Sequence, residues 1–447
     1  MDEPSTDGVR TPWGTQTTLA IENFPVSGRG LPDELISALL RLKSACAQVN
    51  AKRRIVDRDV AEAIVASVEE LLASPRPDWF PVDVFQTGSG TSTNMNVNEV
   101  LATLAADRVG RSVHPNDEVN ASQSSNDVFP SAIRLAAIGL VVDRVVPSLE
   151  TLERSLRRLA AAHPDLVTTG RTHLMDAVPI RFADEVGGWA RAVRLGVERL
   201  VDMLGRLGEL PLGGTATGSG LNTPKGFGHD VAALLAGELQ LPLREAVDHF
   251  EAQGAQDALV EASGAIKVVA LSLHKIAGDL RLLGSGPATG LRELQIPELQ
   301  AGSSIMPGKV NPVIPEAVQQ VAAQVVGNDA AISFAATLST LQLNTAMPVM
   351  ARNLLESLAL VANVSRLLAE RCVAGIVPSA EVMRRYAESS PAIVTALNPT
   401  IGYSAGSKIA KRAIAEGRTI REIALEDGVE AGVLDAALDV AKMADGG

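Results

Sequence analysis

Residues 133–160 read IRLAAIGLVVDRVVPSLETLERSLRRLA, and within them Leu135, Ile138, Val142, Val145, Leu149, Leu152, Leu156 and Leu159 recur at alternating steps of three and four. That spacing holds apolar side chains on one stripe of a helix, the stripe by which long helices pack nearly parallel to one another. Pro147 falls inside the stripe, and its missing backbone donor predicts a kink or a short break. Two further seams follow: Val186, Trp189, Val193, Val197, Leu200, Leu204, Leu207, and Leu259, Ala262, Ile266, Val269, Leu273, Ile276, Leu280. Three such helices predict a bundle. The pattern continues from Pro315 to Asp329, and the charge-free run Ala330 to Ala351 predicts another buried helix. That run is long enough to span a bilayer, but Ser333, Thr337, Ser339, Thr340, Gln342, Asn344 and Pro348 interrupt it, which argues for burial inside protein.

Composition agrees with a helical reading. Aromatic residues are only 3% of the 447, while Ala, Leu and Val dominate, a mixture that suits helix on helix better than a β-sandwich. With 46% hydrophobic and 21% charged residues the chain can bury a large core. We therefore read an all-α chain in three regions: a mixed helical domain over 1–123, a long central bundle over 124–376, and a small helical domain over 377–447. Asp and Glu outnumber Lys and Arg 52 to 40, which excludes a general nucleic-acid or anionic-membrane binder. Cys46 and Cys372 lack any nearby partner in sequence, and Met1-Asp2-Glu3-Pro4 carries no basic, then apolar, export signal. A reducing cytoplasm is the expected setting.

Four polar clusters interrupt the apolar background: Thr87 to Asn98, His114 to Asp127, Gly170 to Asp176, and Gly302 to Glu316. Each is dense in hydroxyl and amide side chains, which bind carboxylate oxygens without adding charge. One cluster of this kind is usually a turn or a helix cap; four together point to a site. In the last, Gly302-Ser303-Ser304-Ile305-Met306-Pro307-Gly308-Lys309-Val310-Asn311-Pro312 invites a phosphate-loop reading but fails it. The glycine spacing is one residue too long, and Val310 stands where a magnesium-binding hydroxyl belongs. Gly88-Ser89-Gly90 lacks the third glycine of a dinucleotide fingerprint, and the histidines show no paired metal spacing. No cofactor and no metal are expected. His173, in Gly170-Arg171-Thr172-His173, stands out because cation, hydroxyl and imidazole are adjacent, although a structural histidine is the ordinary reading.

The segment Ser303 to Asn311 resembles the signature of the fumarase/aspartase superfamily. The other clusters match that family's motifs in order: Gly88-Ser89-Gly90-Thr91-Ser92-Thr93-Asn94-Met95-Asn96, His114-Pro115-Asn116-Asp117, Ser122-Gln123-Ser124-Ser125-Asn126-Asp127 and Gly170-Arg171-Thr172-His173-Leu174-Met175-Asp176-Ala177. The likeness runs from Trp13 to about Asp435 and is greatest to class II fumarases of actinobacterial type.

This resemblance implies a three-domain fumarase/aspartase-like fold, a homotetramer with active sites shared between three subunits, and a small dicarboxylate as substrate, with no nucleic acid or membrane partner. It implies fumarate hydration, with ammonia addition, as in aspartases, or another C4 dicarboxylate as the alternative. It further implies that Ser89, Thr91, Ser124, Ser125, Asn126, Thr172, Lys309 and Asn311 hold substrate carboxylates. His173 paired with Glu316 would act on the leaving group through a water, Ser303 would be the base, and Lys309 would serve both binding and catalysis. His114, Asn116 and Asp117 would form a second anion site or a helix-capping turn. Departures from the fumarase pattern at Glu118, Asp184, Thr217, Ser219 and Gln342 leave these residues intact and bear on the leaving group.

Overall fold

The computed structural model describes residues 11–446; the N-terminal Met1-Asp2-Glu3-Pro4 lies outside them. Among the described residues, helices carry the architecture. Apart from one hairpin, Val167–Thr172 against Met175–Arg181, every strand is two residues long. The all-α expectation holds.

The longest helices are Phe182–Leu207, Asp257–Leu283, Val313–Ala336 and Met347–Leu367. All seven positions of the third seam are buried, as are those of the second except Leu204, whose place Met203 takes. In the first seam the chain forms a helix Ser125–Leu140, one π-helical turn Val141–Val145, and a second helix Val146–Ala162. The π turn is how the chain accommodates Pro147: one wider turn precedes the residue that cannot donate. It also rotates the stripe, so Val141 is buried where Val142 was expected.

The chain divides into two compact units, and the cuts pass through the long helices. One unit comprises Met1–Pro147, Gly196–Ala270 and Val321–Ala362. Within it the helices Asp33–Lys52, Arg58–Ala73 and Thr91–Val109 pack with Ser125–Leu140 around Leu35, Leu39, Leu42, Ile64 and Leu101. A side chain at Gly196 would stand 3.1 Å from Val269, so two long helices approach closely there. Polar pairs tie further helices together: Ser263 and Lys267 donate to Asp329, and Asn328 donates to Glu356 and Ser357.

The other unit comprises Ser148–Leu195, Leu271–Gln320 and Asn363–Gly447. Its short C-terminal helices close around Ile393, Leu397, Ile409, Ile423 and Leu434, and Val167 of the hairpin joins that cluster. Arg181 anchors the hairpin's second strand to Asp445 at 2.7 Å.

The run Ala330 to Ala351 is not one buried helix, contrary to expectation. The helix ends at Ala336, a tight hairpin pairs Ser339–Thr340 with Leu343–Asn344, and the next helix starts at Met347. Asn344 is the cause. Its buried amide donates to Ala335 O at 2.9 Å and to Ser339 Oγ at 2.9 Å, supplying the carbonyl end of one helix with a donor.

Gly90 shows how tightly the first unit is built. It has φ 75, and a Cβ there would lie 2.3 Å from the Phe129 ring. Gly90→Ala should cost at least about 1–2 kcal/mol from the left-handed backbone alone, plus the displacement of the ring. A lowered denaturant midpoint is the expected result, and an unchanged midpoint would contradict this packing.

Candidate active site

In the first unit the glycines of Gly88-Ser89-Gly90 permit an approach that no other residue allows. A Cβ at Gly88 would fall 1.8 Å from the Thr345 carbonyl. This close fit starts the Thr91–Val109 helix beside the start of Ser125–Leu140. Ser89 Oγ lies 2.6 Å from Thr91 Oγ1, which lies 2.8 Å from Ser125 Oγ. Hydroxyls from two helix N-termini thus meet where first-turn amides lack intrahelical partners, an arrangement that favours an anion. Ser124 caps its helix by accepting from Asn126 N at 3.2 Å, and Asn126 Nδ2 donates to Ala216 O at 2.9 Å.

Beneath this wall lies a network that the sequence reading missed. Asp127 is buried and accepts from Ser124 N, Gly213 N and Thr215 N at 2.9, 3.0 and 2.9 Å. Burial pushes its carboxyl up to about 6, against those amides and the Lys43 charge. Lys43, also fully buried, donates to Asn120 Oδ1 at 2.8 Å and Gln123 Oε1 at 3.0 Å. Burial lowers its ammonium to about 7, while the neighbouring Cys46 thiol is pushed up to about 12. Two signals were available. Ser124 and Asp127 have capping-box spacing, and Lys43 and Asn50 interrupt the buried stripe of Leu39 and Cys46.

In the second unit His173 occupies the tip of the hairpin. Thr172 pairs with Met175, leaving His173 and Leu174 as a two-residue turn with φ 57 and 61. Both residues hold left-handed backbone, a conformation that the flanking strands must enforce. The first strand is secured by the fully buried Glu293, which accepts from Thr168 Oγ1 at 2.6 Å and pairs with Arg171 Nη1 at 2.8 Å. Glu185 is raised to about 7 by burial and by Asp279 and Glu293, with Lys275 and Arg171 opposing.

Ser303 sits in the loop before the Val313–Ala336 helix. Its Oγ accepts from Ile305 N at 3.2 Å and Met306 N at 3.0 Å. Asn311 Nδ2 closes the loop by donating to Gly302 O at 2.7 Å, and a Cβ at Gly302 would lie 2.0 Å from Lys309 O. Lys309 is exposed, and Glu316 faces Arg281 at 3.9 Å.

The structure therefore joins Ser89, Thr91 and Ser125, and separately ties Asn311 to Gly302, the residue before Ser303. It does not join His173 to Glu316 within one chain: the described residues show no hydrogen bond or ion pair between them, and Thr172 and His173 are exposed. His114 Nδ1 accepts from Asp117 N at 3.1 Å, the geometry of a capping turn, while Asn116 is exposed. Among the described residues no cluster of His, Cys, Asp and Glu is placed to hold a metal ion, and no helix is long and apolar enough to cross a membrane.

Sequence comparison places this geometry in context. A sequence model described as "Lyase" matches residues 5–327, and one described as "Fumarase C C-terminus" matches residues 393–445. The chain is 54% identical over 440 residues to a class II fumarate hydratase of Corynebacterium efficiens, covering 97% of this chain and 93% of that protein. It is 52% identical over 438 residues to the class II fumarate hydratase of Mycobacterium tuberculosis, covering 97% and 92%. The crystal structure of class II fumarase from Schistosoma mansoni superposes with a TM-score of 0.95 at 34% identity, covering 98% of this chain and 96% of that one. A fumarate lyase:delta crystallin structure from Brucella melitensis, bound to cobalt, gives 0.92 at 40% identity, covering 97% and 96%. With the family matched over most of its length and such relatives matched nearly end to end, the chain belongs to this lyase family, among the class II fumarate hydratases.

Proposed function

We infer that the chain catalyses the reversible anti addition of water to fumarate, giving L-malate. Its relatives of this name match it nearly end to end. The observation that carries the chemistry is Ser303 Oγ receiving two backbone amides. A serine is a base only as alkoxide, and fixed donors aimed at its oxygen stabilise that anion before substrate arrives.

In the dehydration direction, Ser303 Oγ takes the proton from the carbon beside one malate carboxylate. The C–H electron pair moves onto that carboxylate and forms a doubly charged aci-carboxylate. The hydroxyls of Thr91 and Ser125, the amides of Asn126 and Asn311, and the Lys309 ammonium meet this charge. The pair then returns to form the C=C bond as the hydroxyl leaves, protonated through a water held by His173 and Glu316. Ser89 and Thr172 complete the carboxylate contacts, with Ser124 setting the start of its helix.

We assign the acting form to a homotetramer whose sites each draw on three subunits. Two observations support this. His173 and Glu316 find no partner in each other within a chain. In addition, Val201, Leu271, Val326 and Phe334 leave apolar surface on the long helices, Phe334 being 70% exposed. The three-region division 1–123, 124–376 and 377–447 remains our reading of the domains. We place the enzyme in the cytoplasm, a reducing setting that suits two free, buried thiols.

Following the ultraviolet absorbance of fumarate separates the readings. With purified protein in water, absorbance should fall to the malate equilibrium without ammonia; a fall that requires ammonia would make the chain an ammonia-lyase instead. Ser303→Ala should reduce turnover by at least about 10²-fold, with assembly unchanged. Continued deuterium exchange at the malate methylene at the original rate would assign the base to another group.

A further inference from the structure

We propose that Asp127 is a positioning residue for the dicarboxylate clamp, and that it acts by pinning the 213–216 loop to the helix start that presents Ser125 and Asn126. The proposal rests on the functional reading above and deepens it. One carboxylate bridges two segments remote in sequence: Oδ1 accepts from Ser124 N, and Oδ2 accepts from both Gly213 N and Thr215 N. The next loop residue then orients a proposed substrate ligand, because Ala216 O accepts from Asn126 Nδ2 at 2.9 Å. Asn126 is left with a second amide hydrogen to offer.

The loop needs such a pin. Gly213 has φ 100 and Thr215, a β-branched residue, has φ 52, so its backbone is held in a conformation that such side chains disfavour. Gln253 Nε2 donates to Thr215 O at 2.8 Å from the other side, fixing the carbonyl while Asp127 fixes the amide. The charge that acts on Asp127 is the Lys43 ammonium of the Asp33–Lys52 helix, near the thiol of Cys46, while Glu245 and His249 lie against Gly213 and Gly214 of the loop. Lys43 in turn holds Asn120 and Gln123, the residues leading into Ser124. Lys43 and Asp127 therefore brace the same turn, one through Asn120 and Gln123 and the other through Ser124 N.

Asp127→Asn tests this, because the isosteric amide has one acceptor oxygen and cannot serve both segments. Binding of succinate, a C4 dicarboxylate that cannot react, is measured by calorimetry on the intact oligomer. The variant should bind about tenfold more weakly or worse, and KM for fumarate should rise by a similar factor, with kcat falling as well because Ser125 and Asn126 also meet the charge of the aci-carboxylate. A purely structural role would instead lower the melting temperature and the amount of active enzyme while leaving the KM of the surviving enzyme unchanged. Hydrogen exchange on the unsubstituted protein supplies an arm that does not depend on the variant folding: the peptide spanning residues 212–216 should be protected with and without succinate. Equal succinate binding by the variant, or open-loop exchange at 212–216 in the unsubstituted protein, would overturn the proposal, as would absence of succinate binding by the unsubstituted protein. A protein that binds succinate through Asp127 yet leaves fumarate unchanged would refute the hydratase reading and keep this one.

Discussion

Two helix N-termini held side by side are the constraint on which the rest depends. The Thr91 and Ser125 hydroxyls stand 2.8 Å apart. Each lies at the first position of its helix, at the positive end of the helix dipole. An ordinary protein core would not place two such positive ends together without a ligand or a reason. Here the approach is enforced by apolar packing and by the absence of side chains: Gly90 lies against the Phe129 ring, and Gly88 against the Thr345 carbonyl. The meeting of these hydroxyls is therefore set by the fold within a single chain.

A chain with a net charge of −12 can bind a dianion under these conditions because the attraction is local and fixed. Hydroxyls, amides and helix ends supply partial charges that need no counter-ion and do not reorganise during reaction. The same logic appears at Ser303, where two amides point at the oxygen that we propose as the base. It appears once more inside the protein, where backbone amides converge on Asp127. At Ser303 and at Asp127 alike, oriented peptide groups are what the oxygen meets.

Much of the fold was legible because apolar periodicity survives in long helices. The third seam is buried at every position from Leu259 to Leu280. Legibility failed where polar side chains overrule propensity. Asn344 turns an apolar run into a helix end and hairpin through bonds to residues five to nine positions earlier, which no helical period encodes. Pro147 announced a break, but the π turn that answers it, and the shift from Val142 to Val141, depend on the packing around it. For the site, the motifs named Thr91, Ser125 and Ser303, whose contacts are local or lie at helix starts. Lys43 and Asp127 escaped because their partners are remote in sequence, Thr215 standing 88 residues from Asp127. That Glu316 faces Arg281 and not His173 among the described residues also lay beyond any motif, since spacing along a sequence does not give contacts in space.

The account turns on where a dicarboxylate settles, and a crystal structure of the oligomer soaked with malate measures that directly. One malate carboxylate should lie within hydrogen-bond distance of Thr91, Ser125 and Asn126, with Lys309 and His173 brought to it by neighbouring subunits. Malate bound away from the Thr91 and Ser125 hydroxyls, with that wall empty at saturating ligand, would contradict it.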